Sequence, residues 1–311
     1  MIFVLFLLPV ILAFPVYSIS ADSLSASNSF TFTGSQAGYG SGQAEDNDLL
    51  TWESGLGSAQ ELDGNIVLVS IFLSDDQNSW DFYDPQDVDT RNECLDYLGI
   101  STDWISESAQ TWGAEPHFIY NWSEDPQLYY EAKIIASVTA YGDDPTGEVS
   151  DFIDQHVNTE ELLDRYEADS IVFVAFVNTP LHKQYPSYTI PYDDKALSTF
   201  EVSYILTGCN GVKENPATYA HEILHSFGAP DLYRAGNPAF NYNIDERFTE
   251  YCETNYPNDI MLINYDVDTK ESYYDHISNE ISQITAYYIG WTYECPEADE
   301  FDLQPSQHLC Q

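Results

Sequence analysis

Basic residues are scarce in this sequence. Only 9 lysines and arginines stand against 52 aspartates and glutamates, which gives a formal net charge of −43 at pH 7. A surface of that sign repels phosphate backbones and anionic lipid headgroups, so nucleic acids and membrane surfaces are poor partners. The same composition favours solubility, cationic partners and bound cations, and a salty habitat would favour it equally.

Cysteine is sparse as well, and its spacing excludes one kind of site. The five cysteines contain no C-x-x-C pair, so a zinc site built from cysteines is not expected. In an exported chain some cysteines are expected to form disulfides, and an odd number leaves at least one thiol over. The pairings we consider are Cys209 with Cys252 and Cys295 with Cys310.

Beyond its first residues the sequence has no long apolar run. Residues 2–14 are apolar and are followed by small and polar residues. This run is too short for a comfortable membrane span and is typical of a secretion signal. We therefore predict a signal peptide over 1–20 and an exported protein, with a buried N-terminal strand or an uncleaved anchor as alternatives. Residues 21–61, rich in Ser, Gly and Asn, predict a flexible leader or a short pro-segment.

The composition becomes globular near residue 62, which predicts one domain over 62–295 and a tail over 296–311. Continuous β-branched and apolar runs predict buried strands at 64–74 and 169–179. The alternating stretch 199–206 is typical of a half-exposed edge strand. Strands and helices are interspersed, and we expect a mixed α/β domain of the α+β class.

The stretch HEILHSFGAPD, at 221–231, indicates a metal site. His221 and His225 are four positions apart, so a helix would present both imidazoles on one face towards a single ion. Glu222 would lie about 100° round that helix, beside the ion without being a ligand. Zinc lowers the pKa of a water that it binds to about neutral, so Glu222 can accept the proton of that water as a general base.

Local sequence signals predict where the helix that carries this motif begins and ends, and they suggest a third ligand. Pro216 suits the first helical position, and Gly228 lets the chain turn back sharply after the helix. The turn would bring Asp231 to the metal and leave a fourth position open. The alternative is a thermolysin-like site in which a later glutamate is the third ligand. The candidates for that role are Glu246, Glu250 and Glu253.

The motif HExxHxxGxxD, followed by Met261 in YPNDIMLINY, resembles that of the metzincin zinc peptidases. Within that clan, HEILHSFGAPDLY is most similar to the secreted immune inhibitor A-type metallopeptidases of bacteria. The resemblance implies a mixed five-stranded sheet, an active-site helix and a small C-terminal lobe in which Met261 forms a tight turn beneath the metal. Many metzincins have a tyrosine two residues after this methionine. Here Ile263 stands there, and Tyr265 is a supporting candidate whose alternative is a core or surface role.

Together these features predict an exported endopeptidase with one catalytic zinc, acting on proteins or peptides and expected to be a monomer. Two alternatives stay open. One is a non-catalytic surface or binding protein that contains zinc, and the other is a zinc hydrolase of a non-peptide amide. Calcium is a further candidate ligand for two aspartate clusters, although they show no EF-hand spacing and a solvated acidic face is the favoured explanation. The clusters are Asp81, Asp84, Asp87 and Asp89, and Asp266 with Asp268.

Overall fold

The computed structural model describes residues 16–18, 58–190, 200–233 and 246–303. Most of the expected signal peptide and leader lies outside the described residues, as does the second half of the expected tail, Cys310 included. Residues 16–18 form a short strand.

One mixed sheet forms the centre of the described chain. Its strands are β1 (Val16–Ser18), β2 (Asn65–Ser74), β3 (His117–Ile119), β4 (Tyr129–Lys133), β5 (Ser170–Val177), β6 (Tyr188–Ile190) and β7 (Val202–Leu206). Their order is β1-β4-β2-β5-β7-β6, with β3 paired to β2. All pairs are parallel except that of β6 with β7. A separate hairpin joins β8 (Gly208–Cys209) to β9 (Val212–Lys213).

Seven helices accompany the sheet in the described residues. They are α1 (Pro85–Ala109), α2 (Thr146–His156), α3 (Thr159–Tyr166), α4 (Pro216–Ser226), α5 (Glu246–Asn255), α6 (Gln283–Tyr288) and α7 (Glu297–Phe301). None of these helices has both the length and the apolar character needed to cross a membrane. The combination of a mixed sheet with several helices confirms the expected mixed α/β class.

The sheet separates two hydrophobic cores. Successive side chains of a strand point to opposite faces, and both faces of β2 and β5 are buried. Ile66 and Leu68 of β2 belong to the core that contains the apolar face of α4. Val67 and Val69 belong to the core on the other side, with α2 and α3. Burial on both faces explains why these strands read as continuous apolar runs.

Two details of the sheet differ from the sequence predictions. The sheet has two more strands than the expected five, because β1 and β3 have three residues each and are too short to leave a periodic pattern. The stretch expected to form an edge strand contains β7, which lies between β5 and β6 and is buried throughout. Its polar residues are not solvated: the Glu201 carboxylate accepts from the Ser58 and Ala59 amides, and Ser203 bonds to α4. The edge strand on this side of the sheet is β6.

The structure also bears on the cysteine predictions. Cys209 and Cys252 are both free thiols, so the predicted pairing between them is wrong. Cys295 is likewise free, and its predicted partner Cys310 lies outside the described residues.

Candidate metal centre

Helix α4 carries the two histidines of the motif, and its ends form as the sequence predicted. Asn215 caps the start, where its Oδ1 accepts the amides of Ala217 at 2.9 Å and Thr218 at 3.3 Å. At the other end Gly228 has φ +94°, a left-handed conformation that costs glycine little. The Gly228 amide donates to His225 O and the Ala229 amide to Leu224 O, which is the Schellman pattern.

The turn after α4 brings Asp231 to both histidines. His221 Nε2 lies 3.0 Å from His225 Nε2 and 3.1 Å from Asp231 Oδ1. His225 Nε2 lies 3.2 Å from the same carboxylate oxygen. Among the described residues, these three form the one group of histidine, cysteine and carboxylate ligands that could hold a metal.

Main-chain carbonyls determine which nitrogen of each imidazole carries a proton. His221 Nδ1 lies 2.8 Å from Ile260 O, and His225 Nδ1 lies 2.6 Å from Ala229 O. A carbonyl oxygen can only accept a hydrogen bond, so both Nδ1 atoms carry the hydrogen. Each neutral imidazole then presents the bare lone pair of Nε2 to its neighbour and to Asp231. Such an arrangement is repulsive unless positive charge lies between the three atoms.

The donor set fits a zinc ion. Two imidazole nitrogens and one carboxylate oxygen are a common set for catalytic zinc, and they leave a fourth position open. With metal–ligand distances of about 2.0–2.1 Å, tetrahedral ligands lie roughly 3.3 Å apart, close to the observed 3.0–3.2 Å. Calcium and magnesium prefer sets made of oxygen alone.

The local electrostatics also favour a cation. Burial alone would lower the pKa of His221, but the hydrogen bond to Asp231 and the negative charges of Glu222 and Asp231 outweigh burial and raise that pKa to about 9. Burial alone would raise the pKa of Asp231, and the hydrogen bonds to His221 and His225 outweigh burial and lower it. A proton or a metal cation is therefore stabilised at the same point.

Glu222 lies close to the cluster formed by His221, His225 and Asp231, but it is not a member of that cluster. Its side chain is buried, with 5% of the residue exposed. The carboxylate Oε2 accepts a hydrogen bond of 2.9 Å from Thr189 Oγ1, on the edge strand β6. Thr189 was missed by sequence reasoning, because nothing in the order of residues relates a three-residue strand to a glutamate 33 positions later.

Met261 lies in a tight turn next to the cluster. The amides of Leu262 and Ile263 both donate to the main-chain oxygen of Asp259, and the Met261 amide donates to Asp259 Oδ1 at 2.6 Å. The Met261 side chain is fully buried. Asp259 is a second residue that sequence reasoning missed, although aspartate is a common first residue of such turns.

Two main-chain oxygens of this turn connect it to the cluster. Ile260 O accepts from His221, as described above, and Met261 O accepts from the Leu232 amide at 2.9 Å. The turn therefore contacts one histidine directly and holds the chain immediately after Asp231. Its position depends in turn on Asp259, whose buried Oδ2 accepts from Ser282 N and Thr285 Oγ1 at the start of α6.

Two tyrosines line a cavity of about 330 Å³ beside the cluster. Tyr265, a supporting candidate from the sequence, lies in its wall with Leu262 and Ile263. Tyr233, which sequence reasoning did not single out, also lines the cavity, and its ring centroid lies 6.2 Å from that of His221. Burial and the negative charges of Asp231 and Glu222 raise the pKa of Tyr233, so its hydroxyl remains protonated and can donate.

Other sequence candidates lie away from the cluster. Glu246, Glu250 and Glu253 are exposed residues of α5 and do not belong to the group of His221, His225 and Asp231, although Glu253 lines the same cavity as Tyr233. Among the expected calcium ligands, Asp84 caps the start of α1 and Asp266 accepts from the amides of Asp268 and Thr269. These carboxylates serve as caps of a helix and a turn.

Comparisons with known proteins add no relative: no protein family matches this sequence, and no curated protein is significantly similar to it. The arrangement of the cluster therefore carries the functional argument.

Proposed function

We propose that this protein is an exported, zinc-dependent endopeptidase. One observation carries the proposal: the bare Nε2 atoms of His221 and His225 and the Oδ1 of Asp231 converge, while Glu222 stays outside this set as a separate buried carboxylate. A site that held zinc for structure alone would have no use for an additional carboxylate beside it.

Each residue has a defined part in the proposed hydrolysis. His221, His225 and Asp231 would hold the zinc ion, which supplies a Lewis acid for the substrate carbonyl and lowers the pKa of a coordinated water. Glu222 accepts a proton from the attacking water and passes it to the amine that leaves. Ile260 O and Ala229 O keep both imidazoles in the tautomer that presents Nε2.

We further propose that the fold is of the metzincin type. Helix α4 would be the active-site helix and the turn at 259–263 the methionine turn of that clan. The buried Met261 and the contact of Ile260 O with His221 support this proposal. The resemblance to immune inhibitor A-type metallopeptidases rests on the motif residues and on Asp231 as the third ligand.

The proposal is tested on purified protein by metal analysis and by digestion of casein. We expect about one zinc per chain and cleavage that 1,10-phenanthroline abolishes, while the non-chelating isomer 1,7-phenanthroline leaves it intact. Glu222→Gln is the control for contaminating proteases, because it keeps the three ligands and removes the base. We expect it to retain zinc and to lose nearly all turnover.

Other outcomes would favour the alternatives. Zinc that is bound without any cleavage of casein or of a peptide library would favour a non-catalytic zinc protein. Cleavage of small amides alone would favour an amide hydrolase. Casein digestion that continues in 1,10-phenanthroline, or at the parent rate in Glu222→Gln, contradicts the proposed mechanism.

A further inference from the structure

The edge strand β6 places a hydroxyl against the carboxylate of Glu222. Thr189 is the middle residue of this three-residue strand, and it is paired in register with Ser203 of the antiparallel neighbour β7. Paired residues of adjacent strands put their side chains on the same face. Here both side chains face helix α4, and their hydroxyl oxygens are 2.9 Å apart.

Both hydroxyls converge on the same residue of α4. Thr189 Oγ1 lies 2.9 Å from Glu222 Oε2 and 2.8 Å from the main-chain oxygen of Glu222. Ser203 Oγ lies 3.0 Å from that main-chain oxygen. Two strands of the sheet therefore contact the backbone of Glu222, and one of them also contacts its carboxylate.

The two hydroxyl protons are enough to satisfy both acceptors of Glu222. Each hydroxyl carries one hydrogen, whereas the Glu222 carbonyl and an ionised carboxylate can only accept. With the hydrogen of Ser203 directed to the carbonyl, the hydrogen of Thr189 is free for Oε2. Both buried acceptors of Glu222 are then satisfied, which a buried carboxylate requires.

We propose that Thr189 is a positioning residue for Glu222, holding the carboxylate in the orientation that its hydroxyl contacts. The inference rests on the proposed function, in which Glu222 is the base. A glutamate side chain has several rotamers, and a base acts well only when it is held within hydrogen-bond reach of the proton it removes.

Threonine is well suited to positioning the Glu222 carboxylate. Threonine is branched at Cβ, so its χ1 is restricted and its hydroxyl is held in place by the strand. Ser203 differs because its contact is with the helix backbone, which positions α4 on the sheet rather than the glutamate side chain. Because Thr189 also contacts the main-chain oxygen of Glu222, the crystal structures described below distinguish a reoriented carboxylate from a shift of α4.

The test compares Thr189→Val, which has nearly the same shape but no hydroxyl, with Thr189→Ser, which keeps the hydroxyl. We expect Thr189→Val to lower kcat about 10- to 100-fold with KM changed by less than about twofold, because the substrate contacts remain. Thr189→Ser should recover kcat to within a few-fold of the parent. The matched control is Thr102→Val, since Thr102 is buried whereas Thr189 is partly buried, and Thr102 bonds only to carbonyls of its own helix α1.

A structural measurement accompanies the kinetics and does not depend on activity. In crystal structures of the zinc-loaded proteins, the Glu222 side chain should occupy one rotamer in the parent and in Thr189→Ser. In Thr189→Val it should be displaced or spread over several rotamers, while the zinc occupancy and the three ligands stay unchanged. If Thr189→Val does not fold, Thr189→Ala removes the hydroxyl without adding a methyl group in its place.

The two proposals fail in different ways. If the parent protein hydrolyses no peptide, the proposed function fails, and the crystal structures still decide whether Thr189 orients Glu222. An unmoved Glu222 in the variants without the hydroxyl overturns the positioning role, whatever the activity. So does a kcat that stays within a few-fold of the parent in an active enzyme.

Discussion

At the scale of single residues, His221 and His225 each use one ring nitrogen for a main-chain carbonyl. Ile260 O and Ala229 O accept from the two Nδ1 atoms, so in the neutral form of each ring the Nε2 lone pair is free to bind a cation. Asp231 Oδ1 completes the triangle, and the negative charges of Asp231 and Glu222 favour a cation at its centre. The site therefore depends on hydrogen-bond partners as much as on the ligands themselves.

The assignment of Asp231 as the third ligand gives a prediction at this scale. Asp231→Ala should lower zinc retention by about 10-fold or more and abolish casein cleavage, because two imidazoles alone do not complete the site. Equilibrium dialysis against a zinc buffer measures the first effect. Glu250→Ala is the control, since Glu250 is an exposed residue of α5, and it should change neither quantity. A loss of zinc in Glu250→Ala with Asp231→Ala unaffected would indicate the thermolysin-like arrangement.

At the scale of elements, the site is formed where α4 meets the turn at 259–263. Helix α4 is held at its start by Asn215, at its end by the Schellman turn and along one face by the core. The turn is held by Asp259, which also accepts hydrogen bonds from the first residues of α6 and the residue before it. Helix α4, which carries the two histidines, and the turn at 259–263 are thus each held by their own contacts. A few hydrogen bonds join the two elements.

Truncation of the turn's buried side chain separates packing from metal binding. Met261→Ala should lower the free energy of unfolding by about 2–5 kcal/mol, because the side chain is fully buried and leaves a cavity. Zinc stoichiometry should stay near that of the parent, since the contact with His221 comes from the main chain of Ile260. Thermal unfolding and metal analysis measure the two effects.

Val212→Ala serves as the control for the truncation, because Val212 is 60% exposed and its loss should cost little. An unchanged melting temperature in Met261→Ala would show that this methionine does not support the site by packing.

At the scale of the whole molecule, the net charge of −43 sets the electrostatic background. Among the described residues, Arg165 pairs with Asp125 and Glu161, and Lys213 pairs with Glu93. Most carboxylates have no such partner to pair with, since acidic residues outnumber basic ones. Mutual repulsion of these charges opposes the compact state.

Salt should therefore stabilise the protein. Raising NaCl from about 10 mM to about 300 mM shortens the Debye length from roughly 30 Å to well under 10 Å, and we expect the melting temperature to rise by several degrees. Most of the rise should occur below about 0.3 M, because screening saturates, whereas stabilisation by solute exclusion continues into the molar range. Calorimetry in NaCl at constant pH measures the curve. A melting temperature that is independent of salt would show that the carboxylates do not repel each other appreciably in the folded state.

The local features of this protein can be predicted from its sequence. The buried strands β2 and β5, the bounds of α4 and the common face of His221 and His225 all follow from patterns within a few residues. These features depend on helix and strand periodicity and on the special backbone properties of Gly228 and Pro216.

The distant residues that surround the motif are known only from the packing of the elements. The interior position of β7, the contact of Thr189 with Glu222 and the support of His221 by Ile260 all join segments far apart in the chain. Ser203 and Glu201 show why sequence reasoning fails here, since a polar residue in a strand reads as solvated whether it faces water or a buried partner. The hydrophobic pattern of a sequence predicts which residues are buried. It does not predict which partner satisfies a buried polar group, because that depends on how the elements pack.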